Sequence, residues 1–457
     1  MKLYEIRATL QEIHVSPIKT LGQNFLHDQN LARWIVDQAQ ITRGDYVVEI
    51  GPGLGALTKL ALEKGARVLA IEKDTRLANF SRERLSHPRL EVLNTDALKF
   101  DAQVLFSHRR VKLLGNLPYN ISSALLLKFL EYPSPISLWL FTLQKEMALR
   151  LSASPSTHDY GSLTLHVQLH HRVEYLRTIR ASVFFPQPEV DSALVRISPR
   201  DPLNLPVRDD ELLTKLIRRG FSQRRKQLRK LLRADVGDWD SAAAKLGFDP
   251  KARAEELSLI QWIGLANYIA PARPDARAIK EEHFPVVDKT DRIFRYAPRS
   301  QVHGDNLRHR AVHILLFNEA GKVYLQQRSR WKDRHPLRWD SSAAGHVSAK
   351  ESYDETARRE LHEELGVGLS LEKILKVPAS ARTDQEFIWL YRGELHDTLR
   401  PNPSEIESGA FFFPAVIDGW IAARQEDFAP GFVECWKAYR KKSRPNQYRH
   451  LKPTNLR

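Results

Sequence analysis

The sequence predicts an α/β protein built twice over, with a small helical segment between the two halves. Three observations carry this reading. Residues 45 to 130 alternate short apolar strands ("YVVEI", "RVLAIE", "LEVLNTD", "VKLLGNLPY") with polar, helix-like stretches, the rhythm of βαβ units and a parallel sheet. Residues 207 to 270 lose that rhythm and become helical and basic. Strands then return around one strongly patterned helix, Tyr353 to Leu365. At 457 residues the chain is also too long for a single core.

Along the chain, "SLWLFTLQKE", "RVEYLRTIRAS" and "SALVRIS" extend the first sheet to about residue 198, giving a first domain over 1–200. The segments "SAAAKLGFD" and "ELSLIQWIGLANYI" space their apolar residues as helices do, so 201–270 reads as a helical domain. Pro271 and Pro274 in "APARPDARAIKEE" break that pattern in a stretch with little to bury, and 271–283 is the expected linker. "RAVHILLFN" and "KVYLQQRS" flank "EAG" and read as a hairpin, opening a domain over 284–430 that continues with "EFIWLYRGEL" and "AFFFP". Residues 431–457 read as a basic tail, with eight cationic residues and no acid from Lys437 onward.

Composition narrows the function class. The single cysteine, Cys435, has no partner for an internal disulfide and fits a buried, inert thiol in a reducing compartment. No secretory signal is visible in "MKLYEIRATLQEIHV", and no apolar run approaches the roughly 20 residues of a membrane span. The expectation is a cytoplasmic protein, monomeric and without a membrane partner. A net charge of +15 points to a polyanion. "KLIRRGFSQRRKQLRKLLR", Lys215 to Arg233, holds nine basic residues and no acid, where an ordinary solvated helix face mixes signs. Arg224, Arg225, Lys226 and Arg229 are the nucleic-acid-binding candidates.

Chemistry enters with "VVEIGPGLGALTKLALEKGARVLAIEKD", a strand, glycine turn, helix and strand. Gly51, Gly53 and Gly55 let the backbone turn where a Cβ would clash with a ligand. Glu72 closes the next strand, where a carboxylate accepts both hydroxyls of a ribose, and Asp96 in "NTDAL" is placed to accept from an adenine amino group. In this order they favour S-adenosylmethionine. Downstream, "GNLPYNISSALL" packs Asn116, Leu117, Pro118 and Tyr119 into one turn. An exocyclic adenine amine is a poor nucleophile because its lone pair is delocalised into the ring. Acceptors aimed at its hydrogens, the Asn116 amide oxygen and the Leu117 carbonyl, favour a more tetrahedral nitrogen; Pro118 fixes the turn and Tyr119 offers a face for the base.

Residues 1 to about 270 resemble the ribosomal RNA adenine N6-dimethyltransferases of the bacterial small-subunit type. The resemblance is carried by "KTLGQNFLHDQNL", "VVEIGPGLGALT", "GNLPYNISS", "LQKEMALRL", "YGSLTLHVQ", "FFPQPEVDSALVRI", "FSQRRKQLRKLL" and "ELSLIQWIGLAN" in the family's order. It implies a Rossmann-like class I methyltransferase fold, with Gln23, Asn24 and Leu26 joining Gly51, Gly53, Glu72 and Asp96 around the methyl donor. It also implies Phe184 as a second stacking face for the target base, and two neighbouring adenines of a 3′-terminal hairpin of small-subunit ribosomal RNA, in the immature 30S particle, as substrate. Glu189 departs from the lysine usual in the family. The antibiotic-resistance enzymes that dimethylate large-subunit RNA share fold and motifs; "NLPYNISS" and the helical region favour the small-subunit type.

A second pattern runs from Gly345: Gx5Ex7REUxEExGU, matched by Gly345, Glu351, Arg359, Glu360, Leu361, Glu363, Glu364, Gly366 and Val367. Glu360, Glu363 and Glu364 fall at i, i+3 and i+4, on one helical face. Three carboxylates so close call for a cation, and hard oxygen ligands suit Mg²⁺ or Mn²⁺, which bridges a diphosphate and activates water. Arg359 is placed to orient a glutamate through a bidentate pair, and Glu364 or a later acid such as Glu405 to act as base. This is the Nudix signature. Residues 284 to about 430 resemble an α/β/α-sandwich Nudix domain of the branch related to isopentenyl-diphosphate isomerase, without a cysteine near Ser341 to His346. The resemblance implies pyrophosphohydrolysis of a diphosphate-containing small molecule; the alternative is a non-catalytic role for this half as a binding module for RNA or ribosome assembly, against which its intact glutamates argue.

Overall fold

The computed structural model describes residues 1–17, 23–201, 205, 207–270 and 281–443. The chain divides into two compact units, Met1–Pro271 and Ala272–Arg457. Most of the expected linker, 271–280, and the tail beyond 443 lie outside the described residues.

In the first unit, helix α1 (Leu3–Glu12) precedes strand β1 (Phe25–Leu26) and α2 (Gln29–Gln38). The alternating core follows as β2 (Tyr46–Ile50), α3 (Ala56–Glu63), β3 (Arg67–Glu72), α4 (Thr75–Arg84), β4 (Leu90–Asn94), β5 (Val111–Asn116), α5 (Ser122–Phe129) and β6 (Ile136–Gln144). After α6 (Lys145–Ser152) and α7 (Ser162–His170) come β7 (His171–Ile179), β8 (Phe184–Phe185) and β9 (Ser192–Pro199). The sheet order is β4-β3-β2-β5-β6-β9-β7. From β4 to β6 the pairings are parallel, as the βαβ rhythm predicts, and both faces are buried as such strands require, Val48, Leu69 and Leu113 in one core and Val47, Val68 and Leu114 in the other. The last two strands continue the sheet to Pro199, as expected, but with the opposite sense: β9 pairs antiparallel with both β6 and β7. Only a three-residue 3-10 turn, Ala181–Val183, and β8 separate β7 from β9, too little for the crossover a parallel partner needs.

The order reverses at β2, whose neighbours are β3 and β5. Register sets Ile50 beside Ile71 and Gly115, Glu72 beside Asn94, and Asn116 beside Thr142. All the strand ends that carried chemistry in the sequence therefore finish at one edge, where open α/β sheets bind ligands. Helices α8 (Asp210–Gly220), α9 (Leu228–Val236), α10 (Trp239–Leu246) and α11 (Leu259–Ile269) close a core around Trp239 and Trp262. That core also takes in Tyr160, Leu165 and Leu169 from before residue 200, so the helical segment packs on the first domain and shares its core.

In the second unit, β10 (His283–Val287) and β11 (Ile293–Pro298) form a separate hairpin ahead of α12 (Arg299–Gly304). A seven-stranded mixed sheet then contains β12 (His309–Phe317), β13 (Val323–Arg328), β14 (Trp339–Asp340), β15 (Ala343–His346), β16 (Glu372–Val377), β17 (Glu386–Glu394) and β18 (Ile406–Phe412). The expected hairpin of β12 and β13 closes through the single pair Phe317↔Val323, because β15 takes over the edge of β12. Helix α13 (Tyr353–Leu365) covers one face through Ala357, Leu361 and Leu365. Ser352 caps it, accepting from the Glu355 amide while Glu355 reaches back, and Gly366 at φ +66° ends it.

Helices α14 (Pro414–Arg424) and α15 (Pro430–Ser443) complete the unit. Over 431–443 this corrects the expected tail: Phe432, Val433, Cys435, Trp436 and Tyr439 are buried on α15, at helical spacing. The cationic count masked a good amphipathic pattern. Cys435 is fully buried, which pushes its thiol well above the usual range.

Candidate active sites

The edge of the first sheet opens into a cavity lined by every residue proposed for the methyl donor: Gln23, Asn24, Leu26, Gly51, Gly53, Glu72, Asp96 and Asn116. Pro118 and Phe184 also line it; Leu117 and Tyr119 do not. Gly51 adopts φ +67° with nothing within 4 Å of where a Cβ would stand, so the chain turns there and leaves space open. Glu72 is buried and accepts from the amides of Gly53 (3.2 Å) and Asp74 (2.9 Å), which orients its carboxylate. Burial raises its pKa above the ordinary carboxylate value. Asp96 accepts from the Leu98 amide and pairs with Lys73 at 2.8 Å, and that pairing lowers its pKa.

The chemistry of this donor set fits S-adenosylmethionine. Apolar walls from Ile50, Leu54, Leu57 and Ile71 meet acids placed at strand ends, and a glycine turn lets the main chain approach. Glu49, at the end of β2, lines the same cavity and was not singled out in the sequence. Thr58 donates to it at 2.6 Å, and complete burial pushes its pKa up to about 7. In a strand buried on both faces no alternation marks a residue as facing a ligand, so nothing in "YVVEI" but its charge was available as a signal.

At the opening turn, Asn116 donates from Nδ2 to the main-chain carbonyl of Asn24 at 2.9 Å. A carbonyl only accepts, so the amide nitrogen is committed and Oδ1 is left as the acceptor. Leu117 is buried and its amide donates to the Thr142 carbonyl. Tyr119 is half-buried with its hydroxyl 2.5 Å from Ser192 Oγ. Phe184 is only 4% exposed and pairs with Leu26 across β1 and β8. It is part of the cavity wall, packed where the resemblance gave it an open stacking face.

The basic candidates divide. Arg225 and Lys226 are exposed in the α8–α9 connection. Arg229 makes a two-pronged contact with Asp240 at 3.1 and 3.2 Å, and Arg224 donates to the His158 carbonyl. Groups distant in sequence, one of them an acid, thus engage part of a run that contains no acid of its own.

In the second unit, Gly345 permits a contact no other residue allows: a Cβ there would lie 2.0 Å from the Glu360 carboxyl. Arg359 is the hub of the glutamate face. It grips Glu351 in a bidentate pair (3.0 and 3.1 Å) and reaches Glu360 (2.9 Å) and Glu363 (3.0 Å). Glu364 is buried, accepting from Gln326 (2.9 Å) and the Ala344 amide (3.1 Å), with Lys332 3.7 Å away and itself paired to Glu405. Burial and then the neighbouring Glu364 raise Glu360 to about 8. Two buried carboxylates that repel each other in this way form a donor set suited to a hard divalent cation.

A third group was missed by the sequence reading. His303, His309 and His346 converge with their ring nitrogens within 4.8 Å of one another. Glu386 lies 3.1 Å from His346 Nε2 and 3.6 Å from His309 Nε2. His309 Nδ1 faces the Leu307 carbonyl at 2.8 Å, so Nε2 is the ring nitrogen turned toward Glu386. An imidazole and carboxylate set of this kind suits a borderline transition metal.

Sheet order, glycine turn and acidic strand ends together define a Rossmann-like methyltransferase, followed by an α/β Nudix fold. The ribosomal RNA adenine dimethylase family model matches residues 17–271, and the NUDIX domain model matches residues 307–431. The chain belongs to the ribosomal RNA adenine dimethylase family and carries a C-terminal Nudix domain. Ribosomal RNA small subunit methyltransferase A of Aromatoleum aromaticum is 40% identical over 260 residues, covering 57% of this chain and 97% of that relative. The Pseudomonas aeruginosa protein of the same name is 41% identical over 254 residues, covering 55% and 94%. Among solved structures, the 23S rRNA methyltransferase ErmE is 28% identical and covers 54% of this chain and 99% of that one, with a TM-score of 0.46.

Proposed function

We propose that the first unit dimethylates the N6 amines of two adjacent adenines in a 3′-terminal hairpin of small-subunit ribosomal RNA, acting on the immature 30S particle. The observation that carries this is the Asn116–Asn24 hydrogen bond, which turns Oδ1 of Asn116 into a fixed acceptor at the cavity. Bound S-adenosylmethionine supplies an electrophilic sulfonium methyl. Asn116 Oδ1 and the Leu117 carbonyl accept from the two N6 hydrogens and localise the nitrogen lone pair toward that carbon. With the donor bound, transfer of its methyl to N6 would release the neutral thioether, and the proton lost from the nitrogen would pass to water, so these residues need only position and polarise the amine. Positioning and fixed dipoles supply most of the acceleration. Glu72 and Asp96 hold the donor's ribose and adenine, and Tyr119 and Phe184 border the target base.

The small-subunit choice rests on the relatives' names and on the helical region packed behind α7. Arg225 and Lys226, exposed and basic, are the first phosphate contacts in this reading, with Arg224 and Arg229 joining by exchanging their present partners. The test is transfer of labelled methyl groups to 30S precursor particles by the wild type and Asn116→Ala. Equal labelling removes Asn116 from the mechanism, and labelling of large-subunit RNA alone removes the substrate choice.

In the second unit the reading is hydrolysis of a nucleoside-diphosphate-type substrate. Glu360, Glu363 and Glu364 would hold Mg²⁺ or Mn²⁺, which neutralises the diphosphate and lowers the pKa of water. Arg359 fixes the glutamates, and Glu364 or Glu405 takes the proton. Turnover of nucleoside diphosphate derivatives with Mg²⁺, abolished in Glu364→Gln, is the expected result.

A further inference from the structure

Among the described residues, exposed large apolar side chains are scattered singly except at one place. On β11, Ile293 is 41% exposed, Phe294 62% and Tyr296 49%. Three such side chains within four positions are not a by-product of incomplete packing. The opposite side of the hairpin is well packed, with Phe284, Val286 and Ala297 in a small core with Val302. Tyr296 pairs with Pro285, and Phe294 is the extra residue at the bulge between the Val286 and Val287 pairings, without a cross-strand partner of its own. β11 pairs with β10 alone, so its outer edge is free among the described residues.

The charge around these rings has one sign. Lys289, Arg292 and Arg295 are exposed, and none has an ion-pair partner among the described residues. Exposed Arg308 adjoins them, its carbonyl accepting from the amide of Val287, which pairs with Ile293. The two acids of the hairpin are turned inward to other work. Asp288 accepts from Thr290 and the Arg292 amide, and Asp291 from Arg310, Tyr353 and Lys376. What remains outward is aromatic platforms interleaved with unneutralised cations.

We infer that the β10–β11 hairpin of the Nudix unit is a docking surface for a single-stranded segment of the ribosomal RNA precursor. Bases stack on Phe294 and Tyr296, and Lys289, Arg292, Arg295 and Arg308 take the phosphates. Stacking with adjacent cations is how single strands are held without sequence preference. A protein strand added to the β11 edge would leave four cations unanswered, whereas a polyanion answers all of them. The inference rests on the reading of the first unit as acting on ribosomal RNA. A segment held by that unit is presented to the hairpin at the elevated concentration that a shared chain imposes.

The test uses the full chain and a fluorescent, photo-crosslinkable single-stranded oligoribonucleotide, alongside methylation of 30S precursor. Crosslinks are expected on the hairpin. Phe294→Ala/Tyr296→Ala should weaken binding about tenfold per stacked base, while Phe294→Trp keeps it. Arg292→Ala/Arg295→Ala should flatten the dependence of log K on log salt by about 0.7 for every phosphate left without its cation. All these side chains are exposed, so the fold is retained. Affinity and salt slope unchanged in the variants overturn the inference, as do crosslinks confined to the first unit. So does loss of self-association or of vesicle binding with RNA binding intact. Failure of the wild type to methylate any ribosomal RNA strikes instead at the function proposed for the first unit, and is read in the separate methylation assay.

Discussion

Asn116 and Asn24, 92 positions apart, are joined by one hydrogen bond of 2.9 Å from side-chain amide to main-chain carbonyl. It ties the end of β5 to the segment entering β1 and decides which end of the Asn116 amide faces the substrate. Asn116→Asp puts a carboxylate against the Asn24 carbonyl and should be as damaging as Asn116→Ala. Both should lower kcat for methyl transfer about a hundredfold or more, since a displacement near 1 Å costs that much. Single-turnover methylation measures it. A rate for the aspartate variant within a few-fold of wild type removes the hydrogen bond from the argument.

Glu49 gives a pH signature. Its folded pKa is raised from 4.5 to about 7 by burial, so the folded state binds the proton more tightly than the unfolded chain. The stabilisation is complete below pH 4.5 and is lost as pH climbs toward 7. Glu49→Gln keeps an acceptor for Thr58 and lacks the titration. Without ligand, the wild type should lose stability against this variant across that window, by on the order of 3 kcal/mol. Denaturant titrations at a series of pH values are the measurement, and parallel curves refute it.

Gly345→Ala should disable the second site with little effect elsewhere. Its Cβ would fall 2.0 Å from the Glu360 carboxyl, and the glutamate has to move. Mg²⁺-dependent hydrolysis is expected to drop about a hundredfold. Methyl transfer by the same preparation serves as the internal control for folding.

Arg359→Lys tests the hub. Lysine lacks the fork that holds Glu351 in two parallel bonds while reaching Glu360 and Glu363. The expected effect is weaker activation by Mg²⁺, seen as a shift of the activation curve to higher metal concentration. An unchanged curve assigns Arg359 a role in packing alone.

Helix α15 should be part of the folded core. Trp436 is 2% exposed and donates to Asp418 Oδ1 at 2.9 Å. Trp436→Ala is expected to cost about 3–5 kcal/mol, read by denaturant unfolding, and to make Cys435 reactive to thiol reagents under native conditions. A neutral substitution would place this segment outside the core.

Local signals made some of this legible. Ser352, Glu355 and Gly366 carry the start and stop of α13, and the glycine turn after "VVEI" announces the ligand edge because only a few residues tolerate φ near +67°. Long-range features escaped. His303 and His309 lie close in sequence, but His346 and Glu386 come from two further stretches of the chain, and no spacing rule joins the four. The antiparallel edge at β9 depends on which partner a strand chooses, which its own residues do not state. Phe184 lines the cavity at 4% exposure and pairs there with Leu26, a neighbour that no local pattern announces. The tail was misjudged because its lysines and arginines hid the apolar stripe beneath them.

Each unit has its own core, yet both are translated as one polypeptide. Quality control recognises an unfolded segment and then consumes the whole molecule. A mutation that melts the Nudix half therefore depletes the methylating half in equal number, and the two activities rise and fall together in the cell even where their chemistry never meets.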